Sequence, residues 1–379
     1  MKKVCIVTQH RFSPPHCRTY DKAKILSSNG YDVVTIALGN KNLPKEETLE
    51  HTILLRVSDE GIKRPKLPLL NNPVLVYKLY SRALRTKADV YHIIDMDNIL
   101  VGFFLKTIKG KKVIYDIGDD FPSYNNFPGF VQWIIRSLEG HLLKYYDTII
   151  VLSKSLKKDR IKYTKNIEVI PHTPDPSFNP NNVMSSKKEV DYVLVFEGQI
   201  QSKKGIIEIL KALSLVLKEI KSVKLLLIGE IRSDEKELIL SMIEKYGLKE
   251  HIEITGWMKH TDVPKYINLG DLGICIYKPW SYSYVIGVSN KLIDYMACGK
   301  PVIGPRNFPE MEKTVNSAKC GILVDHNDPR QIANAAIYLM RNEKIRKKMG
   351  INARKHIEKY HLWESFEKKL LAIYDSLWY

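Results

Sequence analysis

The chain has 379 residues, a length that predicts two domains. Its apolar fraction of 44% is typical of a packed globular protein and excludes a disordered or collagen-like chain. The 59 Lys and Arg residues exceed the 42 Asp and Glu residues and give a formal net charge of +17. A surplus of this size indicates a polyanionic partner, either nucleic acid or an anionic membrane surface.

No apolar run approaches the roughly 18 residues that span a bilayer, and the first one, residues 4–8, is too short for a signal peptide. The five cysteines are scattered and form no close C-x-x-C pair. This pattern favours reduced thiols over a disulfide framework or a zinc site, and it predicts a cytoplasmic protein.

Short β-rich apolar runs alternate with longer amphipathic stretches along the first half of the chain. A helix over residues 18–30, which ends at Asn29-Gly30, lies between the first two runs. The near-continuous apolar runs predict parallel strands that are buried on both faces of a doubly wound sheet. These predicted strands are residues 4–8, 33–38, 52–57, 90–94, 112–116, 148–152 and 167–170.

The Pro- and Asn-rich stretch 171–189 predicts a linker, after which the pattern restarts. The sequence therefore predicts two α/β domains, residues 1–175 and 190–362. A last helix over 363–379 has an apolar stripe at helical spacing and is expected to dock on the N-terminal domain. The second domain has predicted strands at 192–196, 223–228, 252–255, 272–276 and 301–304, and predicted helices at about 205–220, 233–246, 290–298, 329–342 and 343–360.

The segment 289–304 is the most informative one. Ser289 or Asn290 can cap a helix, whose free N–H groups and dipole form an anion site. Asp294 lies one turn further, where it can accept hydrogen bonds from a bound hydroxyl. On spacing alone, an ordinary capped helix with a surface aspartate is the favoured interpretation.

The end of this segment, Met296-Ala297-Cys298-Gly299-Lys300-Pro301-Val302-Ile303, resembles the signature of glycosyltransferase family 4. That family consists of retaining, nucleotide-sugar-dependent enzymes with the GT-B fold, in which two Rossmann-like domains with doubly wound parallel sheets face each other. Further matches follow in family order over about 360 residues. They include Ala88-Asp89-Val90-Tyr91-His92, Val113-Ile114-Tyr115-Asp116, Ser153-Lys154-Ser155-Leu156, Lys204-Gly205, Thr255-Gly256-Trp257 and Gly321-Ile322-Leu323-Val324.

The resemblance implies a donor site in the C-terminal domain. Asp294 matches the glutamate that binds the ribose hydroxyls, and Lys204 matches the lysine that neutralises the diphosphate. Gly198 would allow close backbone approach to the phosphates. The other residues that the resemblance implies are Gln199 and Lys203 near the diphosphate, Gly229, Gly256 and Met258 near the nucleobase, and Ser289, Asn290 and Lys291 through backbone N–H groups.

The chain also departs from the family pattern. Ile286 stands where the first glutamate of the family's pair is expected, and Gln199 stands where an arginine is frequent, so that Lys203 is the residue that could compensate. Gly118 stands where many relatives have a histidine. Asp119 then becomes the candidate acidic group that faces the sugar, and Asp119 and Lys204 are the predicted catalytic residues.

One tripeptide resembles a metal site. Asp95-Met96-Asp97 has the Asp-x-Asp form that chelates a divalent cation in another transferase fold. GT-B enzymes characteristically work without such a metal, and the histidines have no metal-site spacing. We therefore expect no obligatory metal and no cofactor beyond the nucleotide-sugar substrate, with UDP or GDP as the nucleotide.

The positive charge is concentrated in a few segments of the first half of the chain. Between Glu60 and Asp89 there is no acidic residue, and Lys78, Arg82 and Arg85 fall on one face of a predicted helix over 74–87. Further basic clusters lie at 106–112 and 154–165 in the same half. A basic amphipathic helix favours an acceptor-side or membrane-facing surface, whereas an ordinary solvated basic face is the alternative.

The sequence thus predicts a retaining glycosyltransferase that moves a sugar from a nucleoside-diphosphate sugar to a hydroxyl of a glycan or lipid-linked acceptor, in cell-surface polysaccharide or glycoconjugate synthesis. It predicts a cytoplasmic protein that associates peripherally with the inner face of the membrane. A nucleotide-sugar 2-epimerase and a noncatalytic scaffold of the same fold are the alternatives. No nucleic-acid-reading module is recognisable, so we expect no nucleic-acid partner.

Overall fold

The structure is a computed structural model that describes residues 2–11, 18–62, 72–118, 120–124, 127–182, 190–279 and 287–378. The chain forms two compact units, Met1–Pro171 with Phe366–Tyr379, and His172–Ser365. The domain boundaries predicted from the sequence are residues 175, 190 and 362. The chain passes from the first unit to the second after Pro171 and returns after Ser365.

The described part of the first unit contains an eight-stranded sheet with the order β3-β4-β2-β1-β5-β6-β7-β8. All neighbouring strands are parallel except β3 and β4, which form an antiparallel pair. The strands are β1 (Lys3–Arg11), β2 (Asp32–Gly39), β3 (Glu46–Leu49), β4 (Thr52–Ser58), β5 (Val90–Ile94), β6 (Lys112–Ile117), β7 (Thr148–Val151) and β8 (Ile167–Val169).

Helices cover this sheet, as expected for βαβ crossovers. Helix α2 begins at Pro73, where the Asn72 side chain accepts a hydrogen bond from the N–H of Val74, and α3 ends at Gly110 in the left-handed conformation. The helices are α1 (Arg18–Ser28), α2 (Pro73–Arg85), α3 (Ile99–Lys109), α4 (Phe121–Tyr124), α5 (Gly129–Leu143) and α6 (Lys154–Arg160).

The described part of the second unit contains a six-stranded parallel sheet with the order β11-β10-β9-β12-β13-β14. Its strands are β9 (Tyr192–Glu197), β10 (Val223–Ile228), β11 (Ile252–Ile254), β12 (Leu272–Ile274), β13 (Val302–Pro305) and β14 (Gly321–Val324). Its helices are α7 (Ile206–Glu219), α8 (Lys236–Lys245), α9 (Val263–Leu269), α10 (Asn290–Ala297), α11 (Pro309–Ala318), α12 (Pro329–Arg341) and α13 (Glu343–Tyr360).

Both sheets are doubly wound. In the second sheet the chain runs outward from β9 through β10 to β11, and then outward in the other direction from β12 through β13 to β14. The strand order therefore reverses between β9 and β12. Open α/β sheets bind ligands outside the carboxyl ends of the strands at such a reversal, so this edge is where a site is expected.

The last helix, α14 (Trp363–Ser376), ends in the first unit. The hydroxyl of Tyr374 is buried 2.7 Å from Nδ1 of His92 on β5, and the hydroxyl of Tyr31 donates to Asp375 at 3.2 Å. The apolar stripe that the sequence analysis identifies therefore packs on the first unit, with Phe366, Leu370, Ile373 and Tyr374 buried.

Within the part of the chain that the structure describes, no helix is both long and apolar enough to cross a membrane. The cysteines described, Cys5, Cys275, Cys298 and Cys320, are buried free thiols.

Candidate functional site

Two glycines shape the backbone at the carboxyl edge of the second sheet. Gly198 follows β9 with φ of +87°, and Gly229 follows β10 with φ of +139°. A Cβ on Gly229 would lie 2.6 Å from the carbonyl oxygen of Gly198, so a side chain there would force these backbone segments apart. Because neither residue carries a side chain, a ligand can approach the backbone closely at this point.

A tight turn positions Lys204 beside this edge. The 3₁₀ turn Ser202–Lys204 ends at Gly205, which has φ of +75° and opens α7. A Cβ on Gly205 would lie 2.6 Å from Cγ2 of Ile276, just past β12, so only glycine allows this close packing. Burial lowers the pKa of Lys204, and the charge of Glu197 opposes that shift. The turn therefore holds a partly desolvated ammonium group near the carboxyl end of β9.

Helix α10 places a second lysine in the same region. Ser289 precedes the helix, and its Oγ lies 2.7 Å from the hydroxyl of Tyr277. Lys291 is buried, its Nζ lies 3.6 Å from the centre of the Phe196 ring, and that atom has no hydrogen-bond partner among the described residues. Burial and the neighbouring charge of Lys204 lower the pKa of Lys291 to about 7.

Two buried carboxyl groups accompany these lysines. Oε2 of Glu197 has no hydrogen-bond partner in the described part of the chain, and burial raises its pKa to about 7 against the opposing charges of Lys291 and Lys204. Oδ1 of Asp294 is also without such a partner, although Nε2 of His172 lies 4.0 Å away. Burial, with the charge of Glu197, raises the pKa of Asp294 well above its usual range.

Buried polar atoms that make no hydrogen bond are costly, on the order of 1–3 kcal/mol each. Lys291, Glu197 and Asp294 each carry one such atom, and all three interact electrostatically around one edge of the sheet. Ammonium groups bind phosphate oxygens, and carboxyl groups bind hydroxyls. The arrangement therefore suits a ligand that carries both anionic groups and hydroxyls.

The remaining residues that the sequence analysis assigns to a donor site lie around this edge or on the surface beside it. The N–H of Gly229 donates to Oγ1 of Thr255 at 3.2 Å, and Gly256 follows with φ of +72°. Met258 packs against the core of the unit. The side chains of Gln199, Lys203 and Asn290 are exposed.

Comparisons with known proteins agree with this architecture. Residues 180–356 match the family model described as glycosyl transferases group 1. The chain is 23% identical over 328 residues to N-acetyl-alpha-D-glucosaminyl L-malate synthase of Bacillus anthracis, covering 80% of this chain and 78% of that protein. It is 25% identical over 292 residues to an uncharacterized glycosyltransferase of Methanocaldococcus jannaschii, covering 74% of this chain and 72% of that protein.

The fold is similar to those of solved GT-B structures. Sucrose-phosphate synthase from Thermosynechococcus elongatus superposes with a TM-score of 0.82 at 18% identity, covering 100% of this chain and 99% of that chain. The Anabaena protein HepE, solved with UDP and glucose, superposes with a TM-score of 0.76 at 17% identity, covering 99% and 100%. The chain is a glycosyltransferase with the GT-B fold.

The position of the predicted acid of this glycosyltransferase, Asp119, lies outside the described residues, as does Ile286. The next residue, Asp120, is buried and paired with Arg136 at 2.6 Å and with Arg160 at 2.7 Å. These arginines lower the pKa of Asp120 to about 2 against the effect of burial. Asp120 therefore serves the packing of the first unit and is no substitute for Asp119 as a proton-transfer group.

The Asp-x-Asp decoy has structural contacts. Oδ1 of Asp95 accepts a hydrogen bond from the N–H of Gly118 at 2.8 Å, and the carbonyl of Asp97 accepts one from the Gln9 side chain at 2.7 Å. Among the described residues, no group of three or more His, Cys, Asp or Glu side chains is arranged to hold a metal ion.

The basic residues predicted for the acceptor side lie on α2. Arg82 pairs with Glu46 at 3.7 Å, Lys78 donates to the carbonyl of Ser58 at 3.5 Å, and Arg85 is exposed. Helix α2 thus directs part of its charge to its own unit, and its role at an acceptor or membrane stays a prediction.

Two features of the site are not predicted from the sequence. They are the buried carboxyl group of Glu197 and the side chain of Lys291, of which only the backbone N–H is expected to bind the donor. A signal exists for both: Glu197 ends an apolar run immediately before a glycine, and Lys291 lies one turn before Asp294, on the face that Leu292 and Tyr295 bury. A charged residue inside such a buried pattern favours a functional role over a solvated one.

Proposed function

We propose that this glycosyltransferase moves a sugar, with retention of configuration, from a nucleoside-diphosphate sugar to a hydroxyl of a glycan or lipid-linked acceptor in cell-surface polysaccharide or glycoconjugate synthesis. The observation that carries the proposal is the set of desolvated ionisable groups at the strand-order reversal of the second sheet. Lys204 and Lys291 offer ammonium groups there, and Glu197 and Asp294 offer carboxyl groups.

The two lysines are proposed to stabilise the negative charge that develops on the departing diphosphate. Preorganised charges in a water-poor site act strongly on such a leaving group. The arginine that relatives often carry is replaced by exposed Gln199. We propose that Lys291 supplies the second cation instead of Lys203, because Lys291 is buried beside Lys204 whereas Lys203 is exposed.

The carboxyl groups are proposed to bind hydroxyls of the donor. Burial favours the neutral form of Asp294, which can both donate to and accept from a ribose hydroxyl. Glu197, with its unpaired Oε2, is proposed to contact the sugar in place of the family's first glutamate, because Ile286 stands at that glutamate's position and has no polar side-chain atom. Asp119 is kept as the proposed acidic group that faces the reacting carbon.

UDP is the proposed nucleotide, with GDP as the alternative. HepE was solved with UDP and with UDP-glucose, and an E. coli protein of the same fold was solved with UDP-2-fluoro glucose. A lipid-linked acceptor is supported by the match to phosphatidyl-myo-inositol mannosyltransferase of Mycobacterium leprae, which is 24% identical over 177 residues. Because two lysines already offset the diphosphate charge, the proposal requires no bound metal.

Isothermal titration calorimetry with UDP, GDP, ADP and TDP tests the donor proposal on the full chain. We expect one nucleotide to bind, and we expect Lys204→Ala and Asp294→Asn to weaken it about tenfold or more. Lys218→Ala, a change on the exposed side of α7, is the matched control. Absence of binding to all four nucleotides would overturn the proposal.

A turnover assay distinguishes the remaining functions. We incubate the protein with UDP-sugars and simple acceptors in the presence of EDTA and follow the anomeric configuration of the product by NMR. Transfer with retention supports the proposal. Conversion of the free donor to its 2-epimer would indicate an epimerase, and nucleotide binding without any turnover would indicate a noncatalytic scaffold.

A further inference from the structure

Helix α5 presents apolar side chains to solvent. Phe130 and Trp133 are each 70% exposed, and Ile134 and Leu138 are exposed as well. Their spacing places them on one face of the helix. We call these four residues the α5 ridge. The packed face includes buried Ile135, Glu139 and Leu143, so α5 carries apolar side chains on both faces, and buried Gly140 lies two turns after Trp133 on the same side of the helix. Contiguous exposed apolar surface of this kind marks an interaction site more often than chance.

Basic residues flank the C-terminal end of the ridge. The Tyr163 ring lies against Gly140, where a Cβ would come within 2.4 Å of it, and its centre is 5.9 Å from that of the His141 ring. This contact brings the exposed Lys162 and the exposed Ile161 beside the end of α5. Lys144, which follows α5 directly, is exposed too.

The acidic groups near this end are paired within the unit. Glu139 is buried and lies 3.2 Å from Arg160, and Asp147 binds Lys106 at 2.6 Å. Lys144 and Lys162 therefore remain as solvent-exposed cations beside the α5 ridge. This combination of aromatic side chains and cations matches the interface of an anionic bilayer, where Trp and Phe enter the headgroup region and lysines meet lipid phosphates.

We propose that the α5 ridge, together with Lys144 and Lys162, docks the protein on an anionic lipid membrane. This placement differs from the one that the sequence favours, because Lys78 and Arg82 of α2 contact their own unit whereas the α5 ridge faces solvent. The docking surface lies wholly in the first unit and is independent of the donor site in the second.

Co-sedimentation of the full chain with vesicles tests this surface. We use vesicles of phosphatidylcholine alone and of phosphatidylcholine with phosphatidylglycerol. We expect the wild type to pellet with the anionic vesicles and the double variant Phe130→Ser/Trp133→Ser to lose about tenfold or more in its partition coefficient. Trp257→Ser is the matched control, since Trp257 is 73% exposed but lies in the second unit.

Charge variants separate the contribution of the lysines to membrane binding from that of the apolar side chains. Lys144→Glu/Lys162→Glu should reduce binding to the anionic vesicles and leave binding to the neutral ones unchanged, whereas Lys78→Glu/Arg85→Glu should leave the partition coefficient within about twofold of the wild type. The reverse ranking of these two charge variants would overturn the placement on α5.

Three other results would overturn the proposal. They are a wild type that stays in the supernatant with both vesicles, a ridge variant that pellets as the wild type does, and a wild-type dimer that the ridge variant converts to a monomer in light scattering. The last result would identify a second copy of the chain as the occupant. Nucleotide titration of the ridge variant keeps the two proposals apart, because its nucleotide affinity should equal that of the wild type.

Discussion

The Nζ atom of Lys291 lies 3.6 Å from the centre of the Phe196 ring, and no hydrogen-bonding atom of the described residues completes its coordination. The ring face offsets part of the lost hydration through a cation–π interaction. The offset is incomplete, because burial and the charge of Lys204 still lower the pKa of Lys291 to about 7. A buried lysine kept at this cost is explained by a ligand that binds it.

Replacing Lys291 with methionine separates its effect on stability from its effect on binding. Lys291→Met keeps the length of the side chain and removes the unpaired ammonium. We expect the free energy of unfolding at pH 7 to rise by about 1 kcal/mol. The affinity for the nucleotide should fall about tenfold or more, because a phosphate contact is lost. Urea unfolding and calorimetry measure the two quantities.

The matched control is Lys218→Met, which removes an exposed lysine from α7. It should change the free energy of unfolding and the free energy of nucleotide binding each by less than about 0.5 kcal/mol. A Lys291→Met protein that binds the nucleotide as tightly as the wild type would remove Lys291 from the proposed site.

Gly229→Ala tests the backbone contact that shapes the site. The added Cβ would lie 2.6 Å from the Gly198 carbonyl oxygen, at a φ of +139° that L residues rarely adopt. We expect a loss of about 2–3 kcal/mol in the free energy of unfolding, measured in urea. Gly247→Ala has positive φ as well but meets nothing within 4 Å, so it should cost about 1 kcal/mol. Equal losses in the two variants would show that the Gly198 contact is unimportant.

Most of the strands that the sequence predicts have side chains buried on both faces, whereas β8 and β11 are partly exposed. The structure confirms them within a few residues, as in β5 (Val90–Ile94), because a continuous apolar run leaves little choice of structure. Strand β3 (Glu46–Leu49) is not predicted, since its mostly polar residues carry no apolar strand pattern; it pairs with β4, and Leu49 packs against buried Tyr20 and Ala37. Helix α5 is not predicted because apolar residues on both of its faces hide the helical period.

Helices α3, α6, α9 and α11 and strand β14 are also absent from the prediction. Helix α3 (Ile99–Lys109) is an example: its first seven residues are almost all apolar, so no amphipathic stripe distinguishes a helix from a strand. The helices that begin near Gly205 and at Asn290 are predicted, but the expected side-chain cap at Asn290 is not formed, because the Oγ of Ser289 lies 2.7 Å from the hydroxyl of Tyr277 instead. The proximity of Glu197 to Lys291 is not predicted from the sequence, because it depends on how β9 and α10 pack against each other.

Tyr374→Phe tests how the C-terminal helix is held. The hydroxyl of Tyr374 lies 2.7 Å from Nδ1 of buried His92, and its removal leaves that nitrogen without this partner. We expect the first unit to lose about 1–3 kcal/mol of stability. In urea unfolding followed by limited proteolysis, cleavage near α14 should begin at lower denaturant. Tyr360→Phe, at an exposed tyrosine on α13, should behave as the wild type, and equal behaviour of both variants would contradict the prediction.

Glu197→Gln tests the buried carboxyl through the pH dependence of stability. Burial raises the pKa of Glu197 from 4.5 to about 7, so between these values the folded state holds a proton that the unfolded chain releases. Its contribution to stability is therefore fully present below about pH 4.5 and is lost as the pH rises through about 7. The glutamine amide stays neutral at every pH. Between about pH 4.5 and pH 7, the free energy of unfolding of the variant should therefore rise relative to that of the wild type by up to about 3 kcal/mol, measured by urea unfolding at a series of pH values. Glu244→Gln, at an exposed position on α8, should give a difference that does not vary with pH, and a flat difference for Glu197→Gln as well would show that its carboxyl is not held in a desolvated state.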